Sequence, residues 1–249
     1  MKHSRIILLI FIASLLLGGC QTFPQHKVHH TLLEEKAAEL PSKTLLMPVD
    51  ISVLEMSASG IQEEVPEWTS QAKAHMHAVL ENNPNNFGDL TIIQLPNLSK
   101  EQQQLIEQHT ALYQTVAFSA LWFSQTPIAA WRHKAKKFDY TLGDGLSFLA
   151  EQTGADTALF ISGEDIITTD GRKATVFLAA AFGVHIPLGR AIVVSSLVDL
   201  RTGNILWLNF NTKTDSTTLV EKEDTIAVLS KLFENYPGLE AYHKLNAAN

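Results

Sequence analysis

The sequence predicts an α/β fold, a single mixed sheet with helices packed on it, and three observations carry that expectation. Thr44 to Glu55 has strand character, Glu64 to Asn82 has helical periodicity and Asp89 to Leu95 returns to strand, which makes an early strand-helix-strand unit. Ala191 to Leu200 and Ile205 to Thr212 flank the turn residues Arg201-Thr202-Gly203-Asn204, which makes a late antiparallel hairpin. No internal repeat or low-complexity block interrupts the 249 residues, so residues 44–249 are expected to form one domain.

Each element has a local reason. Thr44 to Glu55 (TLLMPVDISVLE) is branched and little interrupted by polar residues, the pattern of a strand covered on both faces. In the helix that follows, Val65, Trp68, Ala72, His75 or Met76 and Val79 recur at three- and four-residue spacing, and Asn82-Asn83-Pro84-Asn85-Asn86 ends it. Asp89 to Leu95 is the second strand. Ser99 then opens a helix, with Gln102 three residues on to complete a capping box, and this helix is expected to reach about Lys137 with a break at Pro127. A helix from Asp144 to Thr153 ends at Gly154, placed for a left-handed cap. Ala158 to Thr168 is a strand, Asp170-Gly171-Arg172 reads as a turn, and Lys173 to Phe182 reads as the start of a paired strand. The last helix, Glu221 to Tyr236, gathers Ile226, Leu229, Leu232 and Phe233 on one face before Pro237-Gly238.

The amino terminus speaks about location. Lys2 and Arg5 precede an apolar run from Ile6 to Leu17, shorter than the roughly 20 residues a bilayer-spanning helix needs and suited to an export signal. Gly18 and Gly19 then lead to Cys20, the one cysteine of the chain. Leu17-Gly18-Gly19-Cys20 resembles a bacterial lipobox, whose thiol accepts a diacylglyceryl group and becomes the new amino terminus. The resemblance implies a signal peptide over 1–19, a lipidated tether over 20–43 with a possible helical turn from Thr31 to Leu40, and attachment to a membrane through acyl chains on Cys20. Each buried CH₂ of such chains contributes about 0.8 kcal/mol, so several chains hold a domain stably without a second anchor. Lipoproteins of this kind with aspartate after the cysteine tend to stay at the inner membrane. Gln21 in that place implies the outer membrane, with the domain expected on its periplasmic face.

Composition narrows the partners. The net charge of −7 includes Lys2 and Arg5, so the chain without its leader is more acidic still, which argues against nucleic acid as a partner. The basic run Arg132, His133, Lys134, Lys136 and Lys137 reads as a solvated helix end or loop. With Cys20 lipidated no thiol remains for a disulfide, and stability must come from the core.

The body resembles the small α/β domain of several periplasmic lipoproteins, among them the curli secretion lipoprotein and the amino-terminal domain of the Tol-system propeller protein. Leu45-Leu46-Met47-Pro48-Val49, Gly154-Ala155-Asp156 and the hairpin Val198 to Trp207 carry the resemblance. It implies a fold more than an activity.

Chemistry-bearing residues do not converge in the sequence. His26, His29 and His30 cluster in the tether without an acidic or thiol ligand, and His75 and His77 fall on opposite sides of a helix, so no metal or cofactor is expected. Ser162-Gly163-Glu164-Asp165 and Gly143-Asp144-Gly145 lack the pattern of a nucleophile elbow and read as turns or a bulge, while Glu164 and Asp165 face opposite sides of a strand. No catalytic residue is assigned. Ala174 to Leu188 stands apart, apolar and punctuated by Gly183, Pro187 and Gly189. It reads either as a buried strand and loop or as an exposed apolar hairpin or loop in which Val176, Phe177, Leu178, Phe182, Val184 and Ile186 touch a protein or the membrane. The functional expectation is a non-enzymatic accessory or assembly subunit with an envelope protein partner, as monomer or homo-oligomer. A ligand- or peptidoglycan-binding module and a hydrolase with an unrecognised site remain the alternatives.

Overall fold

A computed structural model of the chain describes residues 27–29, 43–82, 91–125, 138–184, 189–213, 217–234 and 236. Eight strands form one mixed sheet: β1 (Lys27–Val28), β2 (Lys43–Leu46), β3 (Asp50–Met56), β4 (Gln62–Glu64), β5 (Thr91–Ile93), β6 (Thr157–Thr168), β7 (Gly189–Asp199) and β8 (Ile205–Lys213). Helices α1 (Pro66–Asn82), α2 (Lys100–Gln125), α3 (Ser147–Thr153), α4 (Asp170–Ala181) and α5 (Lys222–Phe233) accompany it. The fold is α/β, with the early strand-helix-strand unit in β3, α1 and β5 and the late antiparallel hairpin in β7 and β8.

The sheet runs β1-β8-β7-β6-β2-β5, and β6 is its axis. Along one edge β6 pairs antiparallel with β7 over nearly its whole length. Along the other edge it pairs in parallel with β2 beside Thr157 to Leu159, then with β3 beside Ser162 to Thr168. Thr44 to Glu55 is therefore two strands and not one. Met47 N–H still donates to Leu159 O, but Pro48 has no N–H to give to a ladder, and the chain steps away from β6 over Pro48 and Val49 before rejoining it. At the opposite edge Lys27 pairs with Leu208 and Val28 with Trp207, so the sheet takes in part of the stretch expected as tether.

Alternation along β6 divides the interior. Leu159 and Ile161 face one way, into a core with Ala72, Met76 and Val79 of α1 and Val228, Leu229 and Leu232 of α5. Ala158 and Phe160 face the other way, against Ile106, Tyr113 and Ala117 of α2 and Leu149 of α3. Trp207, on the first side, stacks at an angle with Phe233 and meets the edge of Tyr236, with ring centroids 5.2 and 5.3 Å away.

Local signals act where the sequence places them. Gln102 N–H donates to Ser99 Oγ at 3.3 Å and Ser99 N–H to Gln102 Oε1 at 3.0 Å, closing the capping box of α2. Gly154 takes the left-handed conformation after α3, with φ of 67°. In the β7–β8 turn Asp199 Oδ1 accepts from the N–H groups of Arg201 and Thr202, and a side chain at Gly203, where φ is +71°, would collide with the Gly143 carbonyl. His75 and His77 lie on α1. Ser162 to Asp165, read as a turn or bulge, sit in regular register with Val194 to Ala191 of β7.

The largest correction concerns 169–184. Asp170-Gly171-Arg172 does not turn the chain and Lys173 to Phe182 is not a strand: Asp170 to Ala181 is helix α4. Thr169 is its N-cap, with Oγ1 accepting from Arg172 N–H, and Ala174, Ala179, Ala180 and Ala181 are the best helix formers. Both readings of 174–188 are corrected over its described part: it is neither a buried strand nor a hairpin or loop but a helix, with apolar side chains exposed. The Thr31 to Leu40 turn, the extension of α2 toward Lys137 and the basic run at 132–137 lie outside the described residues.

Candidate functional site

The long strand β6 ends at Thr168 and β7 returns beside it from Gly189, so α4 projects from one end of the sheet. Its first turn is polar: Lys173 Nζ bridges Asp170 Oδ1 at 2.8 Å, both side chains exposed. Its last turn is closed by backbone alone. Gly183 N–H donates to Ala180 O at 2.9 Å and Val184 N–H to Ala179 O at 3.0 Å, with Gly183 at φ +78°. Between these ends the helix buries almost nothing. Val176 is 8% exposed, whereas Phe177 is 76%, Leu178 62%, Phe182 85% and Val184 52% exposed. Ile186, like Cys20, lies outside the described residues.

Other large apolar side chains are exposed at the same end. Ile61 is exposed on the loop between β3 and β4, which meets the end of β6 through the Met56–Thr168 pair. On α2, Phe118 and Trp122 stack with ring centroids 6.5 Å apart, on the side turned away from Tyr113 and Ala117. The direction of α2 follows from its neighbours. His109 abuts Gly145, close to the β7–β8 turn, and Gln114 donates to Asp50 at the start of β3, so Phe118 and Trp122 lie further toward the α4 end. Sequence reading singled out the α4 residues by their apolar run and missed these three. The spacing of Phe118 and Trp122, one helical turn apart and out of phase with Ile106, Tyr113 and Ala117, was the available signal.

Asp165 and Tyr113, two buried polar side chains, are bonded within the fold. Asp165, 1% exposed, points from β6 toward the segment before α5, where Oδ2 accepts from Thr218 Oγ1 and Leu219 N–H, both at 2.8 Å. Burial pushes its carboxyl above the ordinary range, those two hydrogen bonds oppose the shift, and Asp224 nearby adds to it. A charged residue at a core-facing strand position was its sequence signal, and it was read only as half of an unlikely carboxylate pair. Glu164, on the opposite face of β6, bridges Arg190 at 3.1 Å in solvent. Tyr113 Oη donates to Ser196 Oγ across the α2 side of the sheet, with burial raising the phenol. Among the described residues no group of three or more His, Cys, Asp or Glu side chains is placed to hold a metal. No helix among them is long and apolar enough to cross a membrane.

No family model and no curated protein matches the chain. Solved structures with a related arrangement include the PelC dodecamer from Paraburkholderia phytofirmans, 11% identical over 77% of this chain and 84% of that one, with a TM-score of 0.34. The LpoB C-terminal domain from Salmonella enterica is 15% identical over 75% and 92% of the two chains, TM-score 0.27. Lipoprotein GNA1162 from Neisseria meningitidis is 14% identical over 79% and 99%, TM-score 0.30. At these scores the likeness transfers neither activity, assembly state nor location.

Proposed function

We propose that the protein is an envelope lipoprotein, held on the outer membrane through Cys20, that acts without catalysis as an accessory or assembly subunit in contact with other envelope proteins. The observation that carries this reading is apolar surface that neither core uses: Leu105, Leu112, Phe118 and Trp122 on α2, and the exposed residues of α4. The lipobox-like Leu17-Gly18-Gly19-Cys20 supports the location. The employment of Asp165, Tyr113 and Glu164 in structural bonds supports a contact role over a chemical one.

The test is mild crosslinking in intact cells, followed by mass spectrometry of what copurifies with the carboxy-terminally tagged chain, beside Cys20→Ala. A defined envelope protein recovered from the anchored form alone is the expected result. A monomer without a partner in both forms overturns it and turns attention to ligand binding or enzymatic activity.

A further inference from the structure

Resting on the anchor reading above, we infer that one part of the apolar surface has a lipid occupant: α4 inserts its carboxy-terminal half into the bilayer that holds the Cys20 acyl chains. The direction of β1 is the first argument. Passing from Val28 to Lys27 moves along β8 from Trp207 to Leu208, so the chain comes into the sheet from the Lys213 end. Lys213 pairs with Ala191, beside the start of β7, and that is the end from which α4 projects. Six residues separate Cys20 from Lys27, and the seven steps across them reach at most roughly 25 Å. The chain therefore enters β1 at the end of the sheet from which α4 projects, with the anchor position within that reach of it.

The second argument is the character of α4. From Ala174 to Val184 it carries no ionisable side chain, and of these residues only Val176 is buried and Ala179 half-buried. Val176 and Ala179 meet the protein on one side, while Phe177, Leu178 and Phe182 are exposed. A bilayer covers these exposed apolar side chains together, whereas a protein partner docking from one side covers one part of them. The charged residues of α4, Asp170, Arg172 and Lys173, are confined to the turn nearest the sheet, where a lipid headgroup layer would lie.

Both ends of the sheet expose charged side chains, Glu55, Glu63 and Arg190 among them at the α4 end, and large apolar side chains stand beside them there. Ile61, Phe118 and Trp122 are exposed toward the α4 end, where an aromatic belt suits a membrane interface. The other end exposes Asp144, Glu151, Asp156 and Arg201. Leu105 and Leu112, nearer that end of α2, are left for a protein partner.

Lipidation of Cys20 makes an introduced cysteine the single free thiol, which gives a direct test. Phe182→Cys and, as control, Glu151→Cys are made in the full lipidated chain, labelled with an environment-sensitive dye and reconstituted into phosphatidylethanolamine–phosphatidylglycerol vesicles with nitroxide groups on their acyl chains. The expected result is about threefold stronger quenching at position 182 than at 151, with blue-shifted emission only at 182. Phe177→Cys gives the same reading if Phe182→Cys fails to fold. Equal quenching at both positions in a chain that floats with the vesicles overturns the docking while the anchor stands. A crosslinked dimer or a protein partner that shields position 182 from the quencher also overturns it. A mature chain without lipid sinks the anchor reading instead. The same labels on that chain with Cys20→Ser, mixed with vesicles, then decide the docking alone, quenching at 182 sustaining it and none overturning it.

Discussion

Asp165 shows what one buried group does to the whole. Its carboxylate satisfies Thr218 Oγ1 and Leu219 N–H, which would otherwise be buried donors without an acceptor at the entry to α5. Asp165→Ala strands both and is expected to cost about 2–3 kcal/mol in urea unfolding. Asp165→Asn keeps an acceptor and should cost less. The pH dependence separates charge from hydrogen bonding. The folded state raises this pKa, by burial first, so it binds the proton more tightly than the unfolded chain does. The stability this group contributes is therefore full below the ordinary carboxylate value and is lost as pH rises through the raised value. Unfolding wild type and Asp165→Asn at about pH 4 and about pH 7.5 should show the gap moving in favour of the asparagine at the higher pH. A gap that does not move refutes burial as the dominant influence.

Among the elements, α4 is the one whose stability is least tied to the core. It buries Val176 alone, whereas α5 buries Val228, Leu229, Leu232 and Phe233 against the sheet. Ala180→Pro removes a helical hydrogen bond and clashes with the preceding turn, a local cost of about 3 kcal/mol. Because so little packs on α4, the urea midpoint of the unanchored domain should stay nearly fixed while amide exchange within 172–183 rises toward that of free peptide. Leu229→Ala, by contrast, should cost about 2–5 kcal/mol globally. A global loss from Ala180→Pro as large as that from Leu229→Ala would show α4 to be part of the core. The same contrast explains what the sequence made legible. Ser99 with Gln102, Gly154 and the Arg201 to Asn204 turn act through bonds between near neighbours, and each appears where its spacing places it. Pro48 was visible, but that the chain would rejoin the same edge of β6 depends on a strand more than a hundred residues away. Asp170-Gly171-Arg172 misled because Asp and Gly serve a helix's first turn as readily as a reverse turn, and only the Thr169 cap and the alanines behind it distinguish the two. The apolar run of α4 was legible as unusual, but its exposure was not, because the side chains around the one buried residue, Val176, are as apolar as those of a core face.

At the scale of the molecule, the question is whether two cores on opposite faces of one sheet behave as one cooperative unit. β6 contributes to both, and its neighbours Phe160 and Ile161 point to opposite sides. β7 does the same through Val198 and Val193, and β8 through Leu208 and Trp207. Backbone pairing among these three strands is shared by both cores, so loss of one core removes the packing that keeps the ladder dry for the other. Phe160→Ala and Ile161→Ala should therefore each move a single transition, by about 3–5 and about 2–5 kcal/mol. The informative probe is the near-ultraviolet dichroism of Trp207, which lies with Phe233 and Tyr236 on the Ile161 side. If the unit is single, Phe160→Ala shifts this signal by the same amount as the far-ultraviolet signal, although Phe160 lies on the other face against Tyr113, at a centroid distance of 4.7 Å. Two separable layers would leave the Trp207 transition in place while the far-ultraviolet transition splits. A domain that unfolds as one piece would pass a load applied at β1 through β8 into both cores at once.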